Sequence, residues 1–430
     1  MQNPDYLPYR RGKRRLGLKL FSAFMVLALI GLALFQIPRI NRALTWRMDI
    51  ALTYARMLIN PVSKLPTPAV NVQPGVALIT PTPLPPTETP EPEPTPLYTP
   101  TPTLAPTAIP GRVQLVPPAY DEAKDKQDWN NCGPATLALY LRYYGWEGDQ
   151  FGISDVIKPT RDDRNVNVDE LVYFVRTRSG WLNAEFRVGG DLDILKKILA
   201  AGFPVMIEET FKTDRQYWPD DDRWAGHYLL VTGYDDAAQQ FTVHDSEIGP
   251  NQKLSYAELD KNWQSFNYVY IMAFPTEMQA TLESVLGGDW DVETNRQKAL
   301  EASEKETRSD PENAYVWFNY GTNLTYFERY NDAAAAYDTA RTIGLPGRML
   351  RYQFGPFISY FHSMRTDDLM ALTKYALEIT RTSEEAMLWR GWGFYRQGNN
   401  ADALNLFRAA LKIHPEYQDA FYAIDYVSNN

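Results

Sequence analysis

Trp129–Trp146 reads WNNCGPATLALYLRYYGW, and Cys132, the single cysteine of the 430-residue chain, stands where this apolar helix begins. A thiolate at a helix N-terminus gains from the dipole and from unpaired backbone N–H groups, which lower its pKa and point at any oxyanion it creates. Farther along, Gly226–Asp235 reads GHYLLVTGYD and sets His227 ahead of a leucine and β-branched run. Phe241–Ser246, FTVHDS, then carries Asp245 at the end of another short apolar run. A thiol on a helix with His and Asp on strands, in that chain order, is an arrangement for attack on an acyl carbon. Each residue also has a structural reading. A cysteine at the start of an apolar helix can simply pack a core, and an Asp at a strand end can cap a turn. His244, the other histidine before Pro275, adjoins Asp245 on the same strand, so it points to the opposite face and cannot share the site.

Around these strings the pattern predicts helices over 133–144, 168–178 and 192–201, and strands over 204–208, 228–234, 240–245 and 268–274. Helices first and an antiparallel sheet second make an α+β domain over 111–275. The strings CGPATLALYLRYYG, GFPVMIE, GHYLLVTGYD, FTVHDSEIGPNQKLSYAEL and YVYIMAFP, in this order, resemble the stand-alone relatives of the bacteriocin-processing, double-glycine-leader cysteine peptidases of the papain-like clan. The resemblance implies a papain-like fold with Cys132 as nucleophile, His227 as base and acid, and Asp245 orienting the imidazole. It implies also that a glutamine ahead of the cysteine donates to the oxyanion. Gln127 fits, although it stands five residues upstream where papain-type enzymes have six. Asp245→Asn is then expected to lose turnover by orders of magnitude, as loss of the orienting carboxylate does in analogous triads.

Residues 276–430 turn helical and repetitive. Ala314, Trp317, Tyr320, Gly321, Leu324, Tyr330, Ala333, Tyr337 and Ala340 fall on the tetratricopeptide pattern, and Gly391, Phe394, Gly398, Ala403, Phe407, Ala410 and Pro415 form a second copy. A degenerate copy is expected over 352–380, with Ala299–Pro311 as part of a leading repeat. Such arrays resemble partner-binding scaffolds, because stacked helix pairs make an extended concave surface. The peptidase domain is expected to fold when cut after Pro275. Asn323–Thr325 is a formal glycosylation triplet on a repeat helix and is read as incidental.

The first quarter differs in kind. Within residues 1–64, five Lys/Arg between Arg10 and Arg15 precede the run Leu16–Ile37, which is apolar but for Lys19 and Gln36. At 1.5 Å per residue the run makes roughly 30 Å of helix, enough to cross a bilayer. The flanking charge predicts a cytoplasmic N-terminus with the remainder outside the cell, behind a juxtamembrane amphipathic helix over 41–60. Residues 65–110 are dominated by Thr-Pro and Glu-Pro steps and read as a disordered, extended linker; at ~3.1 Å per residue it could reach somewhat over 100 Å. Residues 1–64 hold eleven Lys/Arg against two Asp, a balance of +9 on a chain of net charge −10, so the remainder carries −19. That acidity excludes nucleic acid as a partner.

The sequence therefore predicts a membrane-anchored, extracytoplasmic cysteine peptidase of the papain-like fold, followed by an all-α tetratricopeptide domain that recruits a protein. Its substrate is a peptide or protein, and no cofactor or metal is called for. Two alternatives stay open: a thiol acyltransferase or amidase on the same fold, and a silent peptide-binding adaptor.

Overall fold

The computed structural model describes residues 9–69, 109–160 and 163–429. The described residues fall into two units. The smaller contains two helices, α1 (Tyr9–Phe35) and α2 (Pro38–Ile59), together with residues 215–221. Pro38 starts α2, where its missing N–H is no loss. Among the described side chains no helix is long and apolar enough to cross a membrane. Of α1 these are the side chains from Lys19 onward, and Leu20, Phe21, Phe24, Leu27 and Leu32 are exposed. Most of the segment read as an extended linker lies outside the described residues.

The larger unit opens with Val62–Ala69, an extended stretch held by the helical region. Arg341 donates from Nε (3.2 Å) and Nη2 (2.6 Å) to the Pro66 carbonyl, and the Ala69 N–H donates to Asp368 Oδ1 at 3.1 Å. Then follow β1 (Arg112–Gln114), α3 (Glu122–Asp125), α4 (Cys132–Tyr143), α5 (Gln150–Ile157), α6 (Val168–Arg178), β2 (Leu182–Arg187), α7 (Leu192–Ala200), β3 (Val205–Lys212), β4 (Trp224–Asp235), β5 (Gln240–Asp245), β6 (Gly249–Ser255), α8 (Tyr256–Trp263), β7 (Tyr270–Pro275) and α9 (Gln279–Leu286). The strands form one antiparallel sheet in the order β2-β7-β3-β4-β5-β6, with β1 pairing the far end of β4. Two apolar layers cover it. Leu137, Tyr140, Leu171 and Val175 of α4 and α6 pack with Met206, Leu230 and Ile271 on one face. Leu195, Leu199, Leu259 and Trp263 of α7 and α8, joined by Leu282 and Leu286 of α9, pack with Ile207, Leu229 and Val243 on the other. Helix α4 is apolar nearly all round because it is the central helix, buried from Gly133 to Leu141. The Tyr140 hydroxyl pins it to the sheet, donating to the Pro204 carbonyl and accepting from the Ala273 N–H.

Strands β2 and β6 were not among the expected elements. Strand β6, GPNQKLS, buries little beyond its first residue, so its pattern carries almost no apolar signal. In β2, LNAEFR, only alternate positions are covered along part of a short edge.

The chain continues in helices: α10 (Val292–Ser309), α11 (Ala314–Tyr326), α12 (Tyr330–Ile343), α13 (Gly355–His362), α14 (Thr366–Ile379), α15 (Glu384–Arg396), α16 (Asn400–Ile413) and α17 (Gln418–Asn429). Two of the pairs repeat one device: a Cβ at Gly321 would stand 2.9 Å from the Tyr337 ring, and one at Gly391 would stand 2.4 Å from the Phe407 ring. The glycine of the first helix thus makes room for the aromatic of the second. The helices are latched to the sheet domain by polar groups. Asn295 exchanges two hydrogen bonds with the Val188 backbone, Asn323 and Asn267 bond each other, and Gln353 Nε2 donates to the Ser265 carbonyl. Asn323 is fully buried, so its formal glycosylation triplet serves this junction instead.

Candidate active site

The site forms where α4 begins, at the edge of β4 and β5. The Asn131 side chain does not cap α4; it donates to Gln150 Oε1 at 2.9 Å, and Gln150 in turn donates to the carbonyls of Lys124 and Lys126. Buried Lys158 donates to the Asn130 carbonyl at 2.6 Å. These bonds fix the loop that delivers Cys132, whose side chain remains half-buried.

His227 on β4 and Asp245 on β5 share a face, since Asp245 stands opposite Leu229 and His227 is its diagonal neighbour. His227 Nε2 lies 2.9 Å from Asp245 Oδ1, and both side chains are almost wholly buried. The same Oδ1 accepts the N–H groups of Glu247 (2.7 Å) and Ile248 (3.0 Å), so a tight turn after β5 holds the carboxylate in place. Besides this bond to Asp245, the imidazole interacts with the Cys132 thiol. The Phe211 ring covers the imidazole at 4.8 Å between centroids.

The three groups shift one another. Burial alone would raise the Cys132 thiol, but the hydrogen bond and charge of His227, the Tyr228 N–H and nearby Lys158 together hold it below its ordinary value. Burial alone would lower the His227 pKa, yet the bonds to Asp245 and Cys132 hold it well above the usual imidazole range. Asp245 is held low despite burial by His227 and the two backbone donors. A thiol shifted down beside an imidazole shifted up is the direction that favours a thiolate–imidazolium pair.

Gln127 sits in the loop before α4. Its backbone N–H donates to the Ser246 carbonyl at 2.9 Å, and its Oε1 accepts from Ser246 Oγ at 2.8 Å. Ser246 also receives the Thr136 hydroxyl at 3.4 Å, which ties Gln127 to the first turns of α4. Because Oε1 is occupied, the amide nitrogen is the free end, as an oxyanion donor requires. Ser246 and Thr136 escaped the sequence reading, although Ser246 directly follows Asp245. Glu208 escaped it too: burial and the charge of Cys132 push this carboxyl well up.

His244 points to the other face. It is buried, neither ring nitrogen has a partner among the described residues, and burial lowers its pKa to about 4. Trp224 stacks on Phe266 at 5.7 Å and meets the edge of Tyr352, also at 5.7 Å. Gly226 lets this stack approach: a Cβ there would stand 2.6 Å from Phe266 and 3.2 Å from Tyr352. A ring from the helical region therefore packs one residue from His227.

Residues 108–271 match the model of the Peptidase_C39 like family, and no curated protein matches the chain. Among solved structures, the chain is similar to a C39-like peptidase from Bacillus anthracis at 17% identity, over 38% of this chain and 97% of that one, with a TM-score of 0.30. It is similar to xylellain, a cysteine protease from Xylella fastidiosa, at 15% identity over 39% and 87% with a TM-score of 0.31. A third similarity is to YrrB, a TPR protein with an unusual peptide-binding site, at 20% identity over 34% and 72% with a TM-score of 0.28. The chain thus carries a C39-like peptidase domain followed by a helical, repeat-like region.

Proposed function

We propose that the chain is a cysteine peptidase that cleaves a peptide or amide bond through Cys132, His227 and Asp245. The observation that carries this reading is the buried 2.9 Å contact of His227 with Asp245, made by an imidazole that also faces a lowered thiol. In this mechanism the thiolate attacks the carbonyl carbon. The tetrahedral oxyanion is received by the Cys132 N–H and the Gln127 amide. The imidazolium then protonates the leaving amine, and water resolves the acyl-thioester with His227 as base. The helical region recruits a protein partner, and the N-terminal segment holds the enzyme on the outer side of a membrane. The exposed apolar side chains of α1 and the basic residues ahead of them support that anchoring.

A membrane-impermeant, thiol-reactive peptide probe tests the proposal on intact cells and on the isolated protein. The rate of Cys132 labelling is expected to hold its plateau well below the free-thiol pKa of about 8.5 and to fall only when acid protonates the thiolate. Hydrolysis is expected to fall in alkali as well, because the imidazolium must still hold its proton to serve the leaving group. A labelling curve centred at or above the ordinary thiol value sinks the enzyme reading.

The geometry also changes what Asp245→Asn should do. Two backbone N–H groups pin Oδ1, so an asparagine keeps its oxygen toward His227 and preserves the tautomer. Only the charge is lost, a difference of about 1–1.5 kcal/mol between a charged and a neutral hydrogen bond, or about tenfold in kcat. Asp245→Ala is expected to lose orders of magnitude. Steady-state kcat for the two variants decides the point.

A further inference from the structure

Three groups outside the triad meet where the loop before α6 touches the last helix pair: Asp163, Glu384 at the start of α15, and His414 just after α16. One potential ligand atom from each lies within 4.8 Å of the other two. Asp163 and Glu384 are only 1% and 3% exposed, yet Asp163 Oδ2 and Glu384 Oε2 accept no hydrogen bond among the described residues. An unpartnered buried carboxylate oxygen is costly, and here there are two side by side. The neighbouring carboxylates are engaged elsewhere. Asp163 Oδ1 takes the Asn165 N–H, and Glu170 Oε2 takes the Asn167 N–H. Glu385 is occupied by Asn167 and Ser383. The nearby cation, Lys158, is bonded to the Asn130 carbonyl. His414 Nδ1 stands 3.7 Å from Glu384 Oε1 and 3.8 Å from Glu170 Oε1.

We propose that Asp163, Glu384 and His414 form a binding site for a divalent metal of the zinc type that staples the peptidase domain to the last helix pair. Two carboxylate oxygens and one imidazole nitrogen are the donors of a three-ligand zinc site, in which each bond is about 2.0–2.2 Å. Calcium takes six to eight oxygens and is poorly served by an imidazole. Glu170 Oε1 is placed to face the same ion or to orient His414.

The test uses the full chain carrying Cys132→Ala, so that the thiol and His227 cannot themselves hold zinc. Metal-stripped protein is titrated with zinc chloride, and in parallel with calcium chloride, while bound metal and the thermal midpoint are measured. Expected are one zinc per chain and a higher midpoint. In His414→Ala and in the isosteric Glu384→Gln the affinity falls at least about tenfold and the midpoint shift disappears. Glu384→Gln removes a buried charge and should keep the metal-free midpoint, and Asp163→Asn serves as a second isosteric variant. Absence of stoichiometric zinc, zinc bound equally well by the variants, or calcium bound in preference would each overturn the proposal.

Discussion

His227→Ala is expected to silence Cys132. The imidazole is the main influence lowering a thiol that burial otherwise raises, so without it the cysteine returns at least to its ordinary value. A free thiol is only a few per cent thiolate at pH 7, so labelling falls about thirtyfold or more. Turnover falls further, by roughly 10⁴ or more, because the general base and acid goes with the same side chain. His244→Ala is the matched control: it lies on the opposite face with no bond to the site, and labelling of the folded variant should be unchanged. Labelling lost in His244→Ala and kept in His227→Ala would move the site to the other face of the strand.

Cutting the chain after Pro275 is expected to abolish cooperative unfolding of the peptidase domain. That departs from the expectation drawn from sequence, and the reason is packing. Leu282 and Leu286 complete the core on one face of the sheet, and their removal forfeits about 1.5–3 kcal/mol each. The cut also strands Asn267 without Asn323, removes the Asn295 latch on Val188, and takes Tyr352 from the stack beside Gly226. Together these losses rival the 5–15 kcal/mol that holds a typical domain folded. Thermal unfolding of residues 109–275 against 109–429 checks it; a sharp transition near that of the longer chain would show that the helices are dispensable to the fold.

Cys132, His227 and Asp245 were legible because each stands at the end of an apolar run, where a polar residue interrupts an otherwise clear periodicity. The helix pairs were legible for a related reason: Gly321 with Tyr337 and Gly391 with Phe407 repeat one small-to-large fit at one spacing. What surrounds the triad was not. Ser246 and Thr136 are ordinary hydroxyls in sequence and acquire meaning only when the turn after β5 meets α4. The stack of Trp224 on Phe266 and Tyr352 was not legible either, because a ring's partner is chosen by tertiary packing. Asp163, Glu384 and His414 are separated by most of the two domains, and no local pattern could join them.

The docking of Val62–Ala69 has a mechanical consequence. Pro66 and Ala69 are tied to Arg341 and Asp368, so the chain is anchored on the helices as soon as it passes Val62. A pull arriving from upstream of Val62 is therefore carried first by Arg341 and Asp368 and passes into the helices. The clamp is then a mechanical fuse, whose strength is set by those few hydrogen bonds near the middle of the helical array.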